Sequence, residues 1–253
     1  MKTIYTGIES SGKSLMLAMK AIELVERNAK WYERQVKDYE KLGPIAFMEK
    51  YKRETPVKRP IAIKAPMSKK FDDFAAELGV IIVYFNHKHE LILLRECDVI
   101  VDEVASLWNA RAWQEMSMEE TDWINQAAKS GVEIYGASLD FAMVDKGFRM
   151  LTNRLYYVKK TIFASPRPSA TKPPVSFIWG LCLYWEMDPK KYDEAKAEFE
   201  REQTIPSWFT IQRKFCELYD TNRKIPRSET MPFRHIARRC GDPECTFHKV
   251  THV

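Results

Sequence analysis

Residues Gly7 to Ser14 read GIESSGKS, a G-x-x-x-x-G-K-S pattern at the very start of the chain. A polyphosphate needs many N–H donors at short range, and a tight glycine turn running into a helix N-terminus supplies them. Gly7 and Gly12 permit that turn, and Ser10, Ser11 and Leu15 belong to the same phosphate-binding set. Lys13 is expected to reach the β- and γ-phosphates as a point charge, and the Ser14 hydroxyl to sit on Mg²⁺. Such a loop works only between a strand and a helix. KTIYT (Lys2 to Thr6) is a short β-rich run, and LMLAMKAIELVERNAK (Leu15 to Lys30) carries helix formers with apolar residues at helical spacing. Glu9 is the one unfavourable loop residue, since its carboxylate must point away from bound phosphate.

A second pattern names the chemistry. From Cys97 the chain reads CDVIVDEVASLW, in which Val99, Ile100 and Val101 run into Asp102 and Glu103. A buried parallel strand delivering two carboxylates at its C-terminal end suits a Mg·ATP site. Asp102 is assigned to the metal through water, and Glu103 to the attacking water as general base. The adjacent glutamate favours a hydrolase over a nucleotide kinase, whose second substrate supplies the attacking oxygen.

The chain has 253 residues, 45% hydrophobic and 30% charged, enough for one good core and a small appendage. The net charge of +5 allows nucleic-acid binding without demanding it. Five cysteines at uneven spacing, with no signal sequence, argue for a reducing cytoplasm and against disulfides. No run reaches the ~18 apolar residues that span a bilayer. VSFIWGLCLYW (Val175 to Trp185) reads as a buried strand, so no membrane anchor is expected.

Along the chain, the charged segment from Trp31 to Pro60 is divided by Gly43-Pro44 and predicts two helical pieces inserted between the first helix and the strand IAIKA (Ile61 to Ala65). A helical piece around Lys69 to Leu78 precedes VIIVYF, then ELILL, then the acidic strand. GVEIYGAS (Gly131 to Ser138) and RLYYVKK (Arg154 to Lys160) read as further strands. The alternation implies an α/β fold, a mainly parallel sheet with helices on both faces. The expected division is an ATPase core over 1–165, a C-terminal part of that core or small subdomain over 166–230 beginning with the proline-rich PRPSATKPPV, and a basic Cys/His tail over 231–253.

The runs LWNARAWQ, WINQAAKSGVEIYGAS and VDKGFRMLTNRLYYV resemble the ATPase core of zonular occludens toxin-like proteins, a viral branch of the FtsK/HerA-type P-loop motors, over roughly residues 1 to 160. In those proteins an aromatic and an arginine follow the acidic strand, as Trp108 and Arg111 do here. The correspondence puts Ser138 at the polar sensor position and Arg149 at the arginine position. Relatives usually carry His-Arg where this chain has Ala127 and Ala128, and Thr-Gln where it has Ala137 and Ser138. Independently of family, phosphoryl transfer calls for positive charge at the equatorial oxygens, and Arg149, Arg154 and Arg111 are the candidates, acting across a subunit boundary in a ring. The resemblance implies a hexamer. LYDT (Leu218 to Thr221) is similar to a string near the end of the core in related viral packaging ATPases.

The tail, HIARRCGDPECTFHKVTHV, offers Cys240, Cys245, His248 and His252 as a tetrahedral Zn²⁺ set, with His235 as a substitute ligand; a tail with chance thiols is the alternative. Arg234, Arg238 and Arg239 beside it suit phosphate contact. Taken with the resemblance, the expectation is an ATP-driven DNA-packaging motor of a small virus or phage, working with a capsid or portal-vertex partner in the host cytoplasm and associated with the virion. A filamentous-phage extrusion ATPase and a non-hydrolysing, ATP-switched nucleic-acid-binding protein are the rival expectations.

Overall fold

The computed structural model describes residues 1–9, 11–92, 94–111, 117–163, 178–192, 207–212 and 218–219. Strands and helices alternate as β1 (Lys2–Thr6), α1 (Lys13–Tyr51), β2 (Ile61–Lys64), α2 (Lys69–Glu77), β3 (Ile82–Tyr84), β4 (Asp98–Val101), α3 (Met118–Gln126), β5 (Glu133–Ser138), α4 (Lys146–Met150) and β6 (Arg154–Phe163). Two further strands follow, β7 (Ile178–Met187) and β8 (Ser207–Gln212). All eight strands join one sheet in the order β3-β2-β4-β5-β1-β6-β7-β8. Neighbours from β3 to β6 pair in parallel, while β7 and β8 add antiparallel at one edge.

Alternation along the buried strands divides the core into two layers. Tyr5, Ile100 and Tyr135 face α1, whose Ala18, Ala21, Ile22, Val25 and Ala29 recur at helical spacing. Ile4, Val99, Val101 and Ile134 face the other way, onto Trp123 and Ile124 of α3 and Phe148 of α4. Helices therefore cover both faces of a mainly parallel sheet, as the sequence predicts. Each fully buried large side chain contributes about 1.5–3 kcal/mol of transfer free energy, so the two layers lock the strand register that positions the loops.

Two expectations are corrected. The first helix does not end near Lys30: nothing before Gly43 breaks it, so α1 runs on through the charged segment. Gly43, at φ 76° and ψ 169°, turns the chain back on itself. Phe47 then packs 5.2 Å from Tyr39 and 4.7 Å from Tyr51, and Lys50 pairs with Asp38 at 2.7 Å. Both expected pieces are thus helical and divided at Gly43, but the first is a continuation of the first helix and the second folds back on it as a hairpin. The described residues of ELILL form no strand either; Lys88–Leu91 is a 3-10 turn held by Glu90 Oε1, which accepts from the backbone N–H of His87 at 2.7 Å and of Asn86 at 3.2 Å.

The N-terminal end of the sheet is tied by a network that the sequence did not announce. Asp98, wholly buried, accepts from Arg27 Nη2 at 2.7 and 2.8 Å, from Arg59 Nε at 3.0 Å and Nη2 at 2.9 Å, and from Asn28 Nδ2 at 2.8 Å. Arg27 also donates to Glu133 at 3.0 Å, beside the Tyr135 hydroxyl at 2.7 Å. Burial opposes the charge on Glu133, but the Tyr135 hydroxyl and the Arg27 guanidinium outweigh it and hold the carboxyl down at about 2. The folded state thus favours the ionised form, and that contribution is complete above the ordinary glutamate value of ~4.3. It is lost as the pH falls from there toward about 2. Glu133→Gln is expected to be less stable than the wild type at neutral pH, with the gap closing through this acid window in denaturant melts. A gap independent of pH would refute the assignment.

Candidate active site

Strands β1, β4 and β5 all point their C-terminal ends to the same edge, and β5 lies between the other two. The loop after β1 and the acids after β4 therefore meet over the end of β5. Gly7 leaves β1 at φ 145°, and a Cβ there would lie 2.1 Å from Val158 O of β6. Ser11 N–H donates to Ile8 O at 3.3 Å, Gly12 caps α1 at φ 103°, and Met16 N–H donates back to Gly12 O at 3.0 Å. Helix α1 begins at Lys13, so its positive N-terminal end closes the loop. Glu9 is exposed, as the loop chemistry requires. Leu15 faces the α1 core layer with its side chain, and Ser10 lies outside the described residues.

Lys13 Nζ donates to Gly7 O at 2.8 Å and Ile8 O at 2.6 Å, spanning the loop. Burial lowers its pKa, and the charges of Glu103 and Asp102 work against that shift. Ser14 Oγ donates to both Asp102 carboxylate oxygens, at 3.1 and 3.2 Å. Asp102 is fixed by its backbone N–H, which donates to Lys64 O at 2.8 Å. Burial pushes its carboxyl pKa up, against hydrogen bonds from Ser14 and from Tyr219, whose hydroxyl donates to Oδ2 at 3.1 Å.

Glu103 follows at φ 62° and ψ 71°, a left-handed conformation that a non-glycine residue holds only when its surroundings impose it. Burial and then the Asp102 charge raise its pKa, while the Leu139 N–H donates to it. The turn is pressed onto β5 at Gly136, where a Cβ would meet Val104 Cγ2 at 2.1 Å. Gly136 is thus the seat of the Glu103 turn. A glycine inside a strand signals such close approach.

The remaining predicted residues lie elsewhere. Ser138, fully buried at the end of β5 opposite Thr6, donates to Asp140 O at 3.0 Å. Trp108 is a core side chain stacked on Phe148 at 4.7 Å. Arg111 is exposed, and Arg154 begins β6 opposite Thr3, at the far end of the sheet from the loop. The Arg149 guanidinium lies 6.0 Å from the Phe141 ring centroid. Among the described contacts none of these arginines touches Lys13, Ser14, Asp102 or Glu103. His235, Cys240, Cys245, His248 and His252 lie outside the described residues. Among the described residues no cluster of three His, Cys, Asp or Glu side chains could hold a metal, Cys97 and Cys182 are buried, and no helix is long and apolar enough to cross a membrane.

Tyr219 is the functional candidate that residue patterns missed. It falls in the LYDT string, but nothing in the string points to Asp102, 117 residues earlier.

No family model and no curated protein matches the chain. Among solved structures it is similar to the N-terminal domain of zonular occludens toxin from Neisseria meningitidis, with 18% identity over 87% of this chain and 98% of that one and a TM-score of 0.47. It is also similar to the genome packaging NTPase B204 from Sulfolobus turreted icosahedral virus 2 in complex with ATP-gammaS, with 10% identity, 84% and 92% coverage and a TM-score of 0.38. A third is the flagellar accessory protein FlaH from Methanocaldococcus jannaschii, with 10% identity, 74% and 77% coverage and a TM-score of 0.39. With its glycine loop after β1, its acidic pair after β4 and β5 between them, the chain has the α/β fold of the P-loop NTPases.

Proposed function

We propose that this chain is an ATP-driven motor that moves nucleic acid, of the viral genome-packaging kind. The observation that carries the ATPase reading is the convergence of Lys13, Ser14, Asp102 and Glu103 at one sheet edge, with Ser14 and Asp102 in direct contact. A serine hydroxyl facing a carboxylate is a hard oxygen donor pair and fits Mg²⁺. Ser14 and Asp102 would hold that ion, which when bound neutralises charge on the β- and γ-phosphates.

Lys13 and the amides of the loop hold the γ-phosphate, exchanging the lysine's loop carbonyls for phosphate oxygens. Glu103 orients a water and takes its proton as the water oxygen bonds to γ-phosphorus. The bond from γ-phosphorus to the β–γ bridging oxygen breaks, and ADP and phosphate result. Ser138 acts from behind: its bond to Asp140 O shapes the turn whose Leu139 N–H donates to Glu103. Positive charge at the γ-phosphate beyond Lys13 comes from Arg149, Arg154 or Arg111 of a neighbouring subunit in a hexameric ring, consistent with their separation from the site within one chain. The DNA and capsid partners rest on the sequence resemblance, with the +5 net charge compatible with DNA.

The test is ATP turnover with no DNA, single-stranded DNA and double-stranded DNA at one fixed low salt, because phosphate contacts weaken steeply with salt. The motor reading expects DNA to stimulate turnover, and the more effective strand form identifies the cargo. ATP binding without turnover under all three conditions would instead make the chain an ATP-dependent switch.

A further inference from the structure

The one described group from beyond β8 that reaches the site is Tyr219. Leu218 O accepts from Ser68 N–H at 2.9 Å, and Tyr219 bridges Met67 in an isolated antiparallel pair. Leu218 and Tyr219 are half-buried and pack against the α1 core layer. This anchorage at the entrance to α2 aims the Tyr219 ring at the end of β4, where its hydroxyl donates to Asp102 Oδ2 at 3.1 Å. Ser14 Oγ bridges both oxygens of the same carboxylate at 3.1 and 3.2 Å. Both hydroxyls thus donate to the same carboxylate, from two different elements of the chain.

We propose that Tyr219 is a positioning residue for Asp102, setting the affinity of the site for its divalent cation; this rests on the ATPase reading above. A carboxylate steered only by Ser14 would lose its guide whenever that hydroxyl turns to a cation. Tyr219 supplies a second, independent guide on Oδ2, from a rigid ring whose backbone is pinned to another element. Hydrogen-bond partners behind a metal-binding carboxylate commonly tune metal affinity 10- to 100-fold. Because coupling is reciprocal, cation loading at Asp102 also tightens the docking of residues 218–219 on the β2–α2 turn.

The experiment uses the full chain and Tyr219→Phe, which keeps the ring and removes the hydroxyl. Binding of a fluorescent ATP analogue is titrated with Mg²⁺ from none to saturation, and turnover is measured in parallel. The expected result is unchanged metal-free binding and an Mg²⁺ midpoint raised about 10-fold, with turnover recovering at saturating Mg²⁺. An unchanged midpoint would overturn the proposal. So would equal loss of binding with and without Mg²⁺, which would make Tyr219 merely structural. If the wild type itself binds the analogue without any dependence on Mg²⁺, the ATPase reading fails first and takes this inference with it.

Discussion

Glu103→Gln is expected to lower ATP turnover about 100- to 10,000-fold while leaving nucleotide binding intact. The amide matches the carboxylate in shape but cannot accept the proton of the attacking water. The backbone gives no reason for the variant to misfold. Glutamine bears the φ of 62° no worse than glutamate, the Val104 contact over Gly136 is untouched, and an amide oxygen can still accept from Leu139 N–H. Phosphate release gives the rate, and binding of a fluorescent ATP analogue gives the affinity. Asp102→Asn supplies the contrast: it weakens the contact with Ser14 and Tyr219, so its defect should appear in Mg²⁺-dependent binding as well as in turnover. Wild-type turnover in Glu103→Gln would assign the base to another group and undo the mechanism.

The parts of the site legible in the sequence are those whose chemistry is local. GIESSGKS carries its own turn, helix start, lysine and hydroxyl, and an apolar run ending in Asp102-Glu103 carries its strand and its acids. The two-faced parallel sheet followed from alternation alone. What stayed hidden depends on contacts between distant segments. Tyr219 reaches Asp102 only because residues 218–219 dock on the β2–α2 turn. Asp98 belongs to no motif, yet it is the buried knot joining α1, β4 and the approach to β2. The helical hairpin was misjudged because charge density in residues 31–42 suggested a separate insertion, whereas helix continuation depends on the absence of a breaker before Gly43. Ser138 and Arg149 came from the resemblance, and within the chain their side chains are engaged with Asp140 O and near the Phe141 ring.

Gly7→Ala is expected to destroy nucleotide binding and to destabilise the fold together, through a clash that no side chain can relieve. Thr6 pairs with Tyr157 across the β1–β6 boundary, so Gly7 leaves the sheet directly beside Val158. The added methyl would lie 2.1 Å from Val158 O and 3.1 Å from Val158 C, both backbone atoms, at a φ of 145° that side chains rarely adopt. A flexible side chain could swing away, but here either the loop or β6 must move. Overpacking of this kind, added to the backbone strain, costs about 3 kcal/mol, or roughly 6 to 12 °C in Tm for a chain of this size. The loop carbonyls of Gly7 and Ile8 also hold Lys13, so displacing Gly7 moves the lysine away from the phosphate position. A misplacement of about 1 Å can cost 100-fold in a preorganised site, and nucleotide affinity should fall by about that factor or more. Gly43→Ala is the control. It too sits at positive φ, but nothing lies within 4 Å of its absent Cβ, so it should lose about 1–3 kcal/mol through backbone strain alone and bind nucleotide normally. If Gly7→Ala binds nucleotide as the wild type does, the contact between the loop and β6 is not what shapes the phosphate site.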